Sequence, residues 1–325
     1  GLGDVYKRQH KYWLYEQQAD NSMTTMPEPA NSYIFTGTCR AGSGVVAAVT
    51  GYLAERNCYI RALQQFDDES TDTFFMRAVF RPQQGAPSIE AIRTSFGPVA
   101  RRFQMDWHMH DPQVPVNTLI MVSQYDHCLD DILYRLRKGE FNMCVSAVVS
   151  NHADLRPMVE REGIPFVHLP VTSASKEQQE TRLLEIIKET DAELVILARY
   201  MQILSPQLTD HLQGRCINIH HSFLPGFKGA KPYHQAFDRG VKVIGATAHY
   251  VTADLDEGPI IEQFVTHVDH NYTPEHLIRV GRDNECMALA KAVTYHIERR
   301  VFLDGNKTVD FSAVSYTHLT LPTTD

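Results

Sequence analysis

An amide, an imidazole and a carboxylate stand out in this chain of 325 residues. Asn218 and His220 flank Ile219 in the short run Cys216–His220. Side chains on a strand alternate between faces, so Asn218 and His220 share one face and Ile219 takes the other. Asp256 lies further along, in the turn Leu255-Asp256-Glu257-Gly258-Pro259, where the Gly-Pro pair fixes the turn and aims the carboxylate. An amide stabilises an oxyanion, an imidazole moves protons, and a carboxylate orients or activates. Together they suit hydrolysis or transfer of an acyl group. Each part is weak alone. Most Asn-x-His pairs are structural, and an Asp in a Gly-Pro turn commonly serves the turn itself. His220, His221, His234 and His249 raise a metal reading, but no pair has HxxxH or HExxH spacing, so no metal is expected. Neither GxSxG nor a GxGxxG after a strand is present, so serine-hydrolase and dinucleotide readings lack their main support.

Positioning such a set needs a scaffold, and the sequence reads as an α/β chain with two rhythms. The first covers a strand at Ser32–Arg40, a helix at Gly44–Arg56, strands at Tyr59–Phe66 and Thr73–Phe80 joined by the turn Asp67–Thr71, a helix at Ile89–Phe103 and a strand in QMDWHMHD. The order βαββαβ is the ferredoxin-like pattern. A linker with two prolines follows at His110–Asn117. Near-continuous apolar strands then alternate with helices: Thr118–Ser123, Cys144–Ser150, PFVHLPV, Leu194–Ala198 and Cys216–His220. That pattern predicts a mostly parallel, Rossmann-like sheet covered on both faces, with ligands beyond the carboxyl ends of its strands. Two strands flanking Asp256, VIGATAHYV and IIEQFVTHV, precede a long closing helix from Pro274 to Arg299. The domains expected are residues 32–112 and 113–311. Residues 1–31 and 312–325 read as neither core nor cap. They are expected to be non-native or disordered, with a native start at Met23 or Met26.

Composition narrows the partners. A net charge of −8 lacks the footprint of a general nucleic-acid binder. No apolar run approaches the ~20 residues of a membrane helix. Six scattered cysteines without a CxxC argue against a zinc site or disulfide framework and fit a reducing cytoplasm.

The stretch NIHHSFLPGFKGAKPYHQAFDRGVKVIGATAHYVTADLDEGPII closely resembles the catalytic core of the formyltetrahydrofolate deformylases, members of the formyltransferase superfamily. SQYDHCLDDILYRLRKGE, ARYMQIL, HVDH and GRDNECMALAKAV extend the resemblance over roughly Ser32 to Phe311. The βαββαβ start resembles the amino-acid-binding ACT domain of that family.

The resemblance implies that 10-formyltetrahydrofolate is hydrolysed to formate and tetrahydrofolate, a reaction of one-carbon metabolism that supplies formate for purine synthesis. Asn218, His220 and Asp256 would be catalytic. Met201, Gln202, Ile203 and Leu204 would line the folate on one side, with Thr252 and Asp254 on the other. Residue types alone would assign Met201–Leu204 to core packing. No cofactor is implied: water attacks the N10-formyl carbon, Asn218 and His220 stabilise the oxyanion, His220 protonates the departing amine, and Asp256 orients His220 and the water. Which group is the formal base stays open at this point. A homo-oligomer is expected, with methionine or glycine as the amino-acid effector that the family implies. The acidic residue common in ACT ligand loops is missing from Cys39-Arg40-Ala41-Gly42-Ser43-Gly44, which points to assembly as the alternative role of that domain.

Two rival functions remain. One is formyl transfer to an amine, as in glycinamide ribonucleotide transformylase, where a glycine-containing loop holds the acceptor's phosphate. Here Ser123-Gln124-Tyr125-Asp126-His127 has no glycine, and Asp126 would repel phosphate. The other is a catalytically silent sensor of folate or amino acids, against which the intact Asn218, His220 and Asp256 argue.

Overall fold

The hydrophobic pattern changes rhythm near residue 115, and a second sheet begins there. The computed structural model describes residues 31–172, 175–226 and 232–312. The first sheet comprises β1 (Tyr33–Arg40), β2 (Cys58–Asp68), β3 (Thr73–Pro82) and β4 (Asp106–His110) in the order β2-β3-β1-β4, all antiparallel. Helices α1 (Val45–Glu55) and α2 (Ile89–Phe103) cover one face, around Phe35, Leu53, Met76, Phe80 and Phe96. Ser88 caps α2 by accepting from the Ala91 N–H, and Gln104 ends it in the left-handed region. This is the predicted βαββαβ arrangement.

The second sheet has the order β11-β10-β9-β8-β5-β6-β7. Strands β5 (Val116–Val122), β6 (Met143–Ser150), β7 (Phe166–His168), β8 (Leu194–Leu197) and β9 (Cys216–His220) run parallel. Strands β10 (Val243–Tyr250) and β11 (Ile260–His267) run antiparallel at one edge. Helices α3 (His127–Lys138), α4 (Arg156–Arg161) and α8 (Pro274–Ile297) lie on the sheet with α5 (Lys176–Glu189), α6 (Pro206–His211) and α7 (Pro232–Asp238). Buried apolar residues form separate clusters. One gathers Ile120, Leu129, Ile217, Ile219 and Val293, and another gathers Met121, Leu183, Val195, Leu208 and Cys216. Ile217 and Ile219 fall in the first cluster and Cys216 in the second, as strand alternation requires. The chain leaves β5 toward β6 on one side, and β8 later pairs on the other. The topological switch point therefore lies at the carboxyl ends of β5 and β8, where α/β sheets receive ligands.

Three boundaries differ from expectation. Strand β2 runs on to Asp68, so part of the predicted turn is strand. The linker is confined to residues 111–115 between β4 and β5. Helix α8 stops at Ile297, and Arg299 turns the chain at φ 56°. Beyond it a hairpin, β12 (Val301–Asp304) with β13 (Lys307–Asp310), was not read from the sequence, nor was α7. The hairpin covers the second face of the small sheet: the Phe75 and Phe302 rings meet at 5.8 Å. The buried Arg77 guanidinium donates to the Glu298 carbonyl at 3.1 and 3.3 Å, and Lys307 pairs with Asp68. The two sheets thus belong to one compact unit, Asn31–Phe311. The expectations for residues 1–30 and 313–325 lie outside the described residues.

Candidate active site

Strand β9 sits between β8 and β10, which fixes what faces Asn218 and His220. In the antiparallel register Asn218 stands opposite His249 and His220 opposite Thr247. His249 Nδ1 lies 2.9 Å from the Tyr250 carbonyl, so that nitrogen carries the proton. Its Nε2 is then an acceptor and takes the Asn218 Nδ2–H at 3.2 Å. This contact fixes which way the Asn218 amide points. Thr247 is fully buried and anchors the loop after β9: its hydroxyl accepts from the Leu224 N–H and donates to the Ser222 carbonyl, both at 3.0 Å.

Asp256 arrives from the turn after β10. Its φ is 58°, a left-handed conformation that Asp tolerates better than most residues. At Gly258, a Cβ would stand 1.8 Å from the Tyr250 carbonyl oxygen, so only glycine lets the turn close this tightly. The closure brings Asp256 Oδ1 to 3.3 Å from His220 Nδ1 and 3.9 Å from His249 Nε2. His220 Nε2 is buried and has no hydrogen-bond partner among the described residues. Asn218, His220 and Asp256 therefore converge.

The electrostatics keep this carboxylate ionised. Burial pushes the Asp256 carboxyl up, but the hydrogen bond from His220 and the charges of His220, His249 and His221 outweigh it and leave the group below its ordinary range. Burial pulls His249 down. Burial, the Arg199 cation and His220 pull His221 down to about 4, so it is neutral at pH 7. The His220 and His221 rings stack at 4.9 Å.

Behind these groups lies a buried ion network. Glu285 on α8 accepts from the Tyr233 hydroxyl at 2.9 Å, meets His127 Nε2 at 2.8 Å and pairs with Arg199 Nε at 3.3 Å. The Arg199 guanidinium lies 4.9 Å from the centre of the Tyr125 ring. Gly281 lets the Tyr233 ring pass where a Cβ would come within 2.1 Å of it. Donor atoms of His127, Cys128 and Glu285 lie within 4.8 Å of one another. A cation there would have to displace a guanidinium already paired with the same carboxylate.

The remaining predicted residues form two segments. After β8, Met201 and Ile203 are exposed at 51 % and 59 %, Gln202 is half-buried and Leu204 is buried. Core packing, the assignment from residue types, holds for Leu204 alone. The Thr252 hydroxyl donates to the Asp254 carbonyl at 3.1 Å and shapes the opposite turn. Val251, just before that turn, packs against the cluster containing Leu204. Sequence reasoning treated His249 only as a metal candidate and passed over Arg199, Tyr233 and Glu285. The sequence carried only part of the signal for His249: alternation puts Thr247 and His249 on one face of β10, and the register with β9 makes that the face of Asn218.

A formyl transferase family model matches residues 116–293. A formyltetrahydrofolate deformylase from Corynebacterium is 50 % identical over 277 residues, which is 85 % of this chain and 97 % of the relative.

The chain belongs to the formyltetrahydrofolate deformylase family.

The crystal structure of a deformylase from Burkholderia mallei superposes with a TM-score of 0.84 at 53 % identity, covering 87 % of this chain and all of the other. A glycinamide ribonucleotide transformylase from Symbiobacterium toebii covers 61 % of this chain at 30 % identity and a TM-score of 0.57. The likeness to the deformylases therefore extends over the small sheet as well.

Proposed function

We propose that this protein hydrolyses 10-formyltetrahydrofolate to formate and tetrahydrofolate with Asn218, His220 and Asp256. The observation that carries the reading is His220: one ring nitrogen is held by Asp256, and the other is buried with no partner beside an amide whose orientation is fixed. Water adds to the N10-formyl carbon, and the carbonyl oxygen takes the negative charge. The free N–H of Asn218 and the His220 imidazolium stabilise that oxygen. Asp256, held ionised beside His220, orients the attacking water and accepts the proton that it releases. His220 then protonates N10 as the C–N bond breaks, and formate leaves. The reading draws on no metal and no covalent nucleophile.

The folate ring system sits between the segment Met201–Leu204 and the turn with Thr252 and Asp254. Exposed Met201 and Ile203 support this, since an apolar pair in water is otherwise a cost. The acceptor is water rather than an amine. Tyr125 and Asp126 stand where a transferase would need room and positive charge for a phosphate, and the Asp126 side chain makes no cap to α3. The decisive experiment is formate release by the purified chain with and without an amine acceptor. Equal rates support hydrolysis, and acceleration with formylated product overturns it.

The small sheet assembles a homo-oligomer through β2, an 11-residue edge strand exposing Tyr59, Leu63 and Phe66. Methionine or glycine as its effector rests on the family resemblance alone. Among the described residues no helix is long and apolar enough to cross a membrane. A cytoplasmic setting is supported by the six free cysteines.

A further inference from the structure

Two adjacent residues of α5, Gln179 and Glu180, are polar and only 7 % and 8 % exposed. Neighbours on a helix point about 100° apart, so the two side chains diverge and meet different groups. Each reaches a different end of the same segment. Gln179 Nε2 donates to the Tyr200 hydroxyl at 3.1 Å. The Ser205 backbone N–H donates to Glu180 Oε1 at 2.9 Å. Between those ends, the Met201 N–H goes to Ser123 Oγ at 3.1 Å. The shape of the segment is therefore set by side chains that reach in from α5 and from Ser123 just after β5, not by a backbone ladder. Arg199, just before it, holds φ at 63°, where the chain turns sharply out of β8. What the segment shows to solvent is Met201 and Ile203.

We propose that Gln179 and Glu180 are positioning residues for the folate substrate, gripping the two ends of Tyr200–Ser205 so that Met201 and Ile203 are presented to the ring system before it arrives. The proposal rests on the reading of this segment as a folate contact. Neither residue touches the reacting atoms. Their effect is to order a surface loop in advance, so that this ordering is not charged against substrate binding.

The test is steady-state kinetics of the full chain. Loss of the grip on one end of the segment means that Glu180→Ala raises KM about tenfold, equivalent to about 1.4 kcal/mol, while kcat stays within about twofold. Glu180→Gln keeps an acceptor oxygen for the Ser205 N–H and restores KM. Met201→Ala and Ile203→Ala run in parallel and raise KM if the segment contacts folate. Amide hydrogen exchange at Met201 and Ile203 speeds up in Glu180→Ala, a change that loss of global stability alone would spread over the whole chain. A KM unchanged in Glu180→Ala while Met201→Ala raises it overturns the grip and leaves the folate contact standing. If Met201→Ala and Ile203→Ala both leave KM unchanged, the folate contact fails and the proposal fails with it. A fall in kcat as large as the rise in KM overturns a positioning role. Should Glu180→Ala not fold, Gln179→Ala is judged by the same criteria.

Discussion

Replacing Gly258 by alanine adds one methyl group at the point where the turn carrying Asp256 rests on β10. That Cβ would stand 1.8 Å from the Tyr250 carbonyl oxygen, 3.0 Å from its carbonyl carbon and 3.2 Å from His249 Nδ1. A carbon and a carbonyl oxygen rest about 3.3 Å apart, so one of them must move by about 1.5 Å. Both are backbone-anchored, and both movements harm the site. If the turn moves, Asp256 leaves its 3.3 Å contact with His220. If Tyr250 moves, its carbonyl loses the His249 N–H that sets the Asn218 amide. A misplacement of about 1 Å costs on the order of 10²-fold in rate, or about 2.7 kcal/mol of transition-state stabilisation. Gly258→Ala is therefore expected to lower kcat for formate release about a hundredfold. KM should rise as well, because Thr252 and Asp254, the residues proposed to face the folate, belong to the same turn. Far-ultraviolet circular dichroism and a melting curve establish that the variant is folded. A folded Gly258→Ala enzyme with kcat within threefold of the parent would refute the claim that this turn aims Asp256.

Other outcomes are open to direct measurement. Asp256→Asn and His220→Ala should each lower kcat by about 10²–10⁴ with KM nearly unchanged and the fold retained, and near-parental turnover in either variant would remove that residue from the mechanism. His249→Ala should lower kcat about tenfold, with Asn218 free to turn, and His249→Gln, which keeps an acceptor for the Asn218 N–H, should recover part of the loss. Stability should fall in mild acid. His110 and His296 are held down to about 3 and His221 to about 4, each chiefly by burial, while their unfolded counterparts take up protons near pH 6.5. A folded pKa below the unfolded value gives stability that is full above pH 6.5 and is lost as pH drops toward the folded values. By pH 5 each costs up to about 2 kcal/mol, and a flat melting temperature from pH 7.5 to 5 would contradict this. Leu63→Glu with Phe66→Glu on β2 should lower the subunit count by light scattering without loss of fold, and an unchanged count would place the interface elsewhere.

Local periodicity made most of the fold legible. The apolar runs at Thr118–Ser123 and Leu194–Ala198 have the length and β-branching of buried strands, and the structure places strands there. The alternation of Asn218, Ile219 and His220 correctly set the first two site residues on one face. What the sequence could not show was register. Nothing in the chain says that His249 falls opposite Asn218 rather than one residue away, because that depends on how β10 pairs with β9. The Glu285 network was hidden for a similar reason. Its partner His127 lies 158 positions away, and a lone Glu on a long helix looks solvated until its neighbours are known. The β12–β13 hairpin was missed because its strands are only four residues long, too short for alternation to register.

That hairpin alters what counts as a separable piece of this protein. It is encoded after the last helix of the large sheet, yet Phe302 packs on Phe75 and Lys307 pairs with Asp68 of the small one. Its other side reaches β11, where the Thr308 hydroxyl donates to the Ile260 carbonyl at 2.6 Å. A cut at the linker between β4 and β5 would therefore leave Arg77 without the Glu298 carbonyl and strip a ring from Phe75. The transplantable module is discontinuous, residues 31–110 together with 298–311. A chimera that exchanges the first segment between relatives without the second inherits a mismatched seam.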